Sequence, residues 1–202
     1  MTCATITRMS PDTEQFRAAI EAFDAANAED PTRIAGVPAE LLYARRMTEW
    51  LNRLYPDAGE SLHLAARSQH IRRWMVPRSN YPITRAGYHR WRTFLYSFHA
   101  DTAAEILRQV GYDDKAISRV RSLLKKEKLK ADPEMQMLED VVCLVFLESY
   151  FADFAAKHDE EKVIGILRRT WKKMSPRGHA AALELQLSPE ARQLVGKALG
   201  SP

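Results

Sequence analysis

Apolar residues recur at spacings of three and four along nearly the whole chain, and this period constrains the fold more than any other feature. Met47, Trp50, Leu51 and Leu54, for example, fall on one helical face. We find no alternating stretch that predicts a sheet, and no internal repeat. With 46% hydrophobic residues, the chain has enough apolar side chains for one core. The sequence predicts an all-α, single-domain bundle of about eight or nine helices over residues 1–202, ordered from 10 to 199.

Capping residues, prolines and glycines mark where these helices begin and end. The predicted helices run from a Ser10-Pro11-Asp12 cap to about Glu29, from Pro38 to Leu54, from an Asp57 and Glu60 capping box to about Trp74, from Thr84 towards Phe98, from about Ala100 to Val110, from Asp113 or Asp114 to Lys126, from Met135 to Lys157, and onward from Asp159, Ser175 and Ser188. Residues 30–37 read as a loop. The helix from Met135 to Lys157 is apolar over more than one face, so we expect it at the centre.

The positive charge of the chain is concentrated in one window. Residues 61–100 contain no Asp, Glu or Lys, but they hold seven arginines and four of the six histidines. Outside this window, 23 basic residues face 26 acidic ones, so the net charge of +4 comes entirely from these forty residues. Such an asymmetry indicates an anionic partner.

The sequence also bears on location. No apolar run approaches the ~18 residues of a membrane span, and residues 1–8 lack the basic and apolar regions of a secretion signal. Two cysteines cannot form a disulfide framework. We expect a cytoplasmic protein without a membrane partner.

The segment from Gln69 to Arg73 is the most informative for function. On a continuous helix, Arg67, His70 and Arg73 would share one side. Arginine forks bind phosphate and carboxylate with two parallel donors, so the sequence predicts an anion-binding cleft. The predicted ligand-binding residues are Gln69, His70, Arg72, Arg73 and Arg78, with Asp140 facing them. The alternative is that these arginines are solvated or pair with acids of distant helices.

Other residues supply further candidates. His70 and Asp140 are predicted catalytic residues, and His70, His99 and Asp140 together are a candidate divalent-metal site. Asp140 could equally pair with arginines in a structural role. Arg177 and His179, at the start of a late helix, are a second candidate anion site, since free N–H groups there favour anions; an ordinary Ser-Pro cap is the alternative. Lys125, Lys126, Lys128 and Lys130 are interpreted as a solvated connector.

Aromatic residues interleave with the arginines of the 61–100 window. They could stack on bases, as in proteins that bind single-stranded RNA, although the helical spacing of Trp91, Phe94 and Phe98 favours a place in the core. The window lacks the lysines that usually contact a nucleic-acid backbone. No dinucleotide-binding, P-loop or serine-hydrolase motif is present.

Several longer motifs resemble a known family. The motifs are Gln69–Trp74, Val76–Ser79, Leu123–Lys130, Leu138–Glu148 and Lys173–His179. Through them, residues 14–199 resemble a bacterial and fungal domain of unknown function, some members of which are loosely labelled glutamyl-tRNA synthetase. That resemblance implies membership and no activity.

The order of these motifs along the chain is also similar, more distantly, to that of the HD-domain metal-dependent phosphohydrolases. In that resemblance Asp140 matches the late aspartate of the family. Tyr43 stands where the family has its first histidine, and Gln69 and His70 stand where it has a His-Asp pair. The resemblance implies an HD-like fold, but only one of four metal ligands is retained.

Three functions follow as hypotheses. The leading one is binding of a small phosphorylated or nucleotide-like anion, with phosphoester hydrolysis or phosphoryl transfer as the reaction if the protein is an enzyme. The second is an RNA-binding module that uses the surface of residues 61–100. The third is a non-catalytic interaction protein whose arginines are structural.

Overall fold

The computed structural model describes residues 13–127 and 131–200, and nearly all of their regular structure is helical. The all-α prediction is confirmed. The chain divides into two compact units, Met1–Leu129 and Lys130–Pro202, and the single domain stays a prediction. The predicted cap at Ser10–Asp12 lies outside the described residues. None of the described helices is both long enough and apolar enough to cross a bilayer.

Within residues 13–127, the first unit is built from five α-helices and one small hairpin. Its elements are α1 (Glu14–Ala28), β1 (Arg33–Ile34), β2 (Val37–Pro38), α2 (Ala39–Leu54), α3 (Glu60–Arg67), α4 (Arg85–Gln109) and α5 (Asp114–Leu124). Thr13, Thr84 and Asp113 accept a hydrogen bond from the first turn of α1, α4 and α5, respectively. Phe23, Met47, Leu51, Leu62, Leu107 and Leu123 are at most 1% exposed and form the core.

Two helices of the first unit differ from their predictions, and the end of the first of them matters for the site. The helix predicted from Asp57 to about Trp74 is only Glu60–Arg67, and its N-cap is Gly59, so the proposed capping box is not formed. Conversely, α4 is one continuous helix where the sequence analysis placed two, because no proline or glycine interrupts it near Phe98. The predicted loop at 30–37 contains an antiparallel hairpin, whose turn residues Ala35 and Gly36 both have positive φ.

Between residues 131 and 200, the second unit has five α-helices. They are α6 (Pro133–Ser149), α7 (Phe151–Ala155), α8 (Glu160–Trp171), α9 (Pro176–Leu183) and α10 (Pro189–Leu199). The predicted starts at Asp159, Ser175 and Ser188 are confirmed, and each of these side chains caps its helix. The predicted helix from Met135 to Lys157 is broken at Tyr150. No proline or glycine marks this break, which accompanies complete burial of the Phe151 ring.

Candidate functional site

The segment after α3 forms a compact turn that side chains of two other helices hold in place. Arg72 has a left-handed backbone, with φ of 51°, and its N–H donates to Oδ1 of Asn27 in α1 at 3.0 Å. Nδ1 of His99 in α4 donates to the carbonyl of Ile71 at 2.9 Å. The Arg72 N–H and the Ile71 carbonyl therefore bond to side chains, which explains why α3 does not continue.

His70 lies at the centre of this region. Its ring stacks on Tyr43 with centroids 3.9 Å apart, and lies 5.8 Å from the ring of His99. Its Nδ1 is 3.4 Å from Oε2 of Glu40, and 26% of its side chain is exposed. Glu40 is fixed at the start of α2, where its N–H donates to Oδ2 of the buried Asp30 at 2.9 Å.

Arg72 and Arg73 lie beside His70 and each contacts one carboxylate loosely. Nη2 of Arg72 is 3.6 Å from Oε1 of Glu29, and Nη1 of Arg73 is 3.6 Å from Oε1 of Glu40. Both distances exceed those of a good charge-assisted hydrogen bond, about 2.7–2.9 Å. The two side chains are 36% and 35% exposed, so solvent reaches both guanidinium groups. We call Glu40, His70, Arg72, Arg73 and His99 the His70 cluster.

Burial shifts the pKa values of Glu40, His70 and His99 in the direction that favours their neutral forms. Burial raises the pKa of Glu40, although the nearby Arg73 opposes that change. Burial, reinforced by the charges of Arg73, Lys126 and Arg92, lowers the pKa of His70 well below its ordinary value. Burial and the neighbouring His70 lower the pKa of His99 to about 3. Both imidazoles are therefore neutral at pH 7.

Two further cations lie close enough to His70 to lower its pKa electrostatically. Arg92 donates to the hydroxyl of Tyr96 at 2.5 Å and lies 3.4 Å from the hydroxyl of Tyr88. The ammonium of Lys126, just beyond α5, lies 5.9 Å from the ring centroid of Tyr96. Cations thus approach His70 from the turn after α3 and also from α4 and the end of α5.

Several buried polar atoms of this region have no hydrogen-bond partner. In the described part of the chain they include Asn27 Nδ2, Gln69 Oε1, Arg72 Nε, Arg73 Nε and His99 Nε2. Since the Ile71 carbonyl can only accept, Nδ1 of the neutral His99 carries the proton, and Nε2 is a bare acceptor. The region therefore contains buried hydrogen-bond donors and buried acceptors that both lack partners. Each of them lowers the stability of the fold as long as it has no partner.

The other two arginines near the turn have structural partners. Arg67 forms a bidentate pair with Asp24, at 2.7 and 2.6 Å. Arg78, a predicted ligand-binding residue, donates instead to the backbone carbonyls of Tyr81 and Pro82 at 2.7 and 2.8 Å. The turn after α3 also separates Arg67 from His70 and Arg73, so the single helical side suggested by their spacing does not exist.

Asp140, a predicted catalytic residue, lies in the second unit and is fully buried. Its Oδ1 accepts from Ser175 N at 2.7 Å and from Gln136 Nε2 at 3.1 Å, and its Oδ2 accepts from Ser175 Oγ at 2.5 Å. A Cβ at Gly178 would lie 2.7 Å from Oδ1, so glycine is needed for this approach. These contacts give the carboxylate a structural role at the start of α9.

Arg177 and His179 lie on α9, in the second unit. Nε2 of His179 donates to the carbonyl of Trp171 at 2.8 Å, and its ring stacks on that of Trp171 with centroids 3.9 Å apart. Arg177 is exposed. Because the Asp140 carboxylate already receives the Ser175 N–H at this helix start, the geometry supports the interpretation as a structural cap.

The predicted metal site of His70, His99 and Asp140 gains no support. Within residues 13–127 and 131–200, no three His, Cys, Asp or Glu side chains form a group that could hold a metal ion. In the first unit, the nitrogen of His70 that faces a carboxylate is 3.4 Å from Glu40, and Nδ1 of His99 is used by a backbone carbonyl.

Three charged residues of the site, Glu40, Arg92 and Lys126, are not among those predicted from the sequence. Glu40 carries no sequence signal, because an acid in the first turn of a helix is ordinary. Lys126 was interpreted as part of a solvated connector. Arg92 could have been found, because Tyr88, Arg92 and Tyr96 follow each other at a spacing of four on one helical side.

Comparison with known proteins gives a family match. The model of a protein family described as Domain of unknown function (DUF4202) matches residues 17–195, and so covers parts of both units. No curated protein and no solved structure matches the chain. The similarity to HD-domain phosphohydrolases and the synthetase label stay predictions.

Proposed function

We propose, for a chain that belongs to the DUF4202 family of unknown function, that the His70 cluster binds a small phosphorylated anion. The observation that carries this proposal is the set of unpartnered polar atoms at Gln69, Arg72, Arg73 and His99, beneath guanidinium groups that solvent can reach. A bound phosphate monoester would supply acceptors for the arginines and, through a hydroxyl group, a donor for His99 or Gln69.

Electrostatics favours the same ligand. Arg73, Arg92 and Lys126 all act on His70, and the nearest carboxylate, Glu40, has a pKa raised by burial. Glu40 and Glu29 lie 3.6 Å from Arg73 and Arg72, so a phosphate able to form shorter bidentate contacts can replace them as partner. Arg72 and Arg73 therefore do pair with acids, which is the alternative interpretation of the sequence, but at distances longer than those of good hydrogen bonds.

The catalytic form of this proposal is hydrolysis of a phosphoester. His70 has a lowered pKa and is neutral at pH 7, so it is able to act as general base. It would accept a proton from water as the water oxygen attacks phosphorus, and return that proton to the ester oxygen as the P–O bond breaks, so that phosphate and the alcohol are released. The arginines would stabilise the charge that develops on the phosphoryl oxygens. Asp140 has no part in this mechanism, because its contacts account for it structurally.

A thermal-shift experiment tests the binding. The panel contains orthophosphate, glycerol phosphate and a nucleoside monophosphate, each with and without magnesium ions. A ligand at 100 times its Kd adds about 2.7 kcal/mol to the free energy of unfolding, which raises the Tm of a chain of this size by roughly 5–10 °C. We expect Arg73→Gln to remove the shift.

Arg90→Gln is the matched control. Arg90 is an exposed arginine of α4 outside the cluster, so its substitution should leave the shift unchanged. Equal loss of the shift in both variants would mean that general charge, rather than the cluster, attracts the anion. Stabilisation by none of the compounds would leave the third hypothesis, an interaction protein with structural arginines.

A further inference from the structure

Arg92 and Lys126 form a second group of cations beside His70. Arg92 reaches the region from the middle of α4, and Lys126 from the residue pair that follows α5. In the described part of the chain, Arg92 contacts no carboxylate: its guanidinium contacts the hydroxyl groups of Tyr88 and Tyr96. A tyrosine hydroxyl that accepts from arginine still has its own proton to donate.

The backbone at Lys126 gives a second, independent observation. Its φ is 57°, in the left-handed region where glycine is usual. The N–H of Lys126 donates to the carbonyl of Leu123, and that of Glu127 to the carbonyl of Ser122, the turn that commonly ends a helix with glycine. Arg72 also has a positive φ, of 51°.

Such strain persists only where the surrounding structure enforces it, and it concentrates at functional sites. Of the three described non-glycine residues with positive φ, two are therefore cations near His70, and the third, Ala35, belongs to the hairpin turn. Glycine would satisfy the backbone at positions 72 and 126 at lower cost, but it would remove both charges.

We infer that the site takes a ligand with two linked phosphate groups, one bound by Arg72 and Arg73 and the other by Arg92 and Lys126, with the hydroxyl groups of Tyr88 and Tyr96 as additional donors. This inference rests on the proposed function and specifies its ligand class as a diphosphate. A single phosphate bound by Arg72 and Arg73 would leave Arg92, which contacts no carboxylate among the described residues, without an anionic partner.

Titration calorimetry with orthophosphate and pyrophosphate, in the presence of EDTA, tests the inference on the full chain. We expect pyrophosphate to bind at least about tenfold more tightly, because charge-assisted hydrogen bonds to a second phosphate add roughly that factor or more. Arg92→Gln and Lys126→Gly should each remove most of this difference, while the Kd for orthophosphate changes less than about threefold. Arg90→Gln should preserve the difference.

Each outcome has one meaning. Equal affinities for the two anions, or a preference for pyrophosphate that survives both substitutions, would overturn the diphosphate inference and leave the phosphate site intact. If wild-type protein binds neither anion, both proposals fail. Lys126→Gly also guards against misfolding as an explanation, since relief of the left-handed strain should keep its Tm at or above that of the wild type.

Discussion

His99 uses its two ring nitrogens unequally. Nδ1 bonds to the Ile71 carbonyl, whereas the buried Nε2 has no partner in the described residues. The ring is only 3% exposed, so protonation would place a charge in the core, and its pKa falls to about 3. His99 therefore both holds the turn after α3 in place and makes the stability of the fold depend on pH.

We expect His99 to make the fold sensitive to acid. Between pH 6.5 and about 3, an unfolded His99 binds a proton and the folded one does not, so stability falls as the pH is lowered through this range. The loss approaches about 1.4 kcal/mol per pH unit. Glu40, with its raised pKa, acts in the opposite direction, since its contribution is lost as the pH rises above its unfolded value of 4.5.

Urea unfolding at pH 7.0 and pH 5.0 measures this effect. The variant His99→Asn keeps a donor for the Ile71 carbonyl and cannot be protonated. We expect the wild type to lose about 1–2 kcal/mol more than this variant between the two pH values. Equal losses would show that His99 is not the group responsible.

Lys126 allows a second prediction at this scale. A left-handed backbone costs a residue with a Cβ about 1–2 kcal/mol, and part of this is offset by the greater freedom of glycine in the unfolded chain. Lys126→Gly should therefore raise the free energy of unfolding by roughly 0.5–1 kcal/mol. Lys125→Gly is the control: Lys125 has a right-handed backbone, with φ of −76°, and its substitution should destabilise the protein.

At the scale of the helices, the start of α9 is held by a buried carboxylate, that of Asp140. Ser175 caps this helix by accepting from Gly178 N at 3.1 Å, and its own N–H and Oγ donate to the carboxylate of Asp140 in α6. The cap and the packing of α9 on α6 are thus one hydrogen-bonded unit. This explains why an aspartate is tolerated with no exposure at all in the most apolar helix.

Two serine caps of the second unit can be compared directly. Ser175→Ala removes the cap of α9 and also a donor to a buried carboxylate, so we expect a loss of about 2–4 kcal/mol. Ser188→Ala removes only the cap of α10, where Oγ accepts from Ala191 N at 3.2 Å, and should cost about 1 kcal/mol. Chemical denaturation measures both; similar costs would contradict the coupling of Ser175 to Asp140.

At the scale of the whole molecule, the arginine excess is less available than the sequence suggests. Arg67 pairs with Asp24 and Arg78 with two backbone carbonyls, while Arg72, Arg73 and Arg92 belong to the candidate site. The two remaining arginines of the 61–100 window are Arg85 and Arg90, both exposed. An extended RNA-binding surface needs more phosphate contacts than two exposed arginines provide.

Single-stranded RNA should therefore bind weakly and with a shallow salt dependence. Two phosphate contacts predict a slope of about −1.4 for log K against log salt, from −0.7 per contact. Fluorescence anisotropy of a labelled oligonucleotide over 50–300 mM salt measures this slope. A slope of −4 or steeper would restore the RNA-binding hypothesis, and exposed Tyr88 and Phe94 would then be candidates for base stacking.

Local patterns were sufficient for most of the helices but not for the site. The caps at Thr84, Asp113, Asp159, Ser175 and Ser188 could be predicted because each depends on residues within one turn of the chain. The end of α3 could not, since it depends on side chains of α1 and α4 that are distant in sequence. Phe94, expected in the core from its spacing, is 49% exposed, because helical spacing alone does not fix which face is buried.

The charges around His70 were the least predictable part, because their pairing depends on tertiary structure. The sequence identified Gln69, His70, Arg72 and Arg73, which are adjacent in the chain. It could not associate Glu40 or Lys126 with them, since these two residues are separated from the segment Gln69–Arg73 by 29 or more positions. Asp140 stood out as a charge in an apolar helix, and its partner Ser175 became clear only from the fold.

The left-handed backbone at positions 72 and 126 makes the sequences of other family members informative. Mutation to glycine would be favoured at both positions wherever stability alone is under selection. A relative that retains Arg or Lys at both positions would thus be recognised as one that uses the charge, and a relative with glycine at both as one that has lost the ligand. Two columns of a future alignment could in this way separate active members from degenerate ones, before any of them is purified.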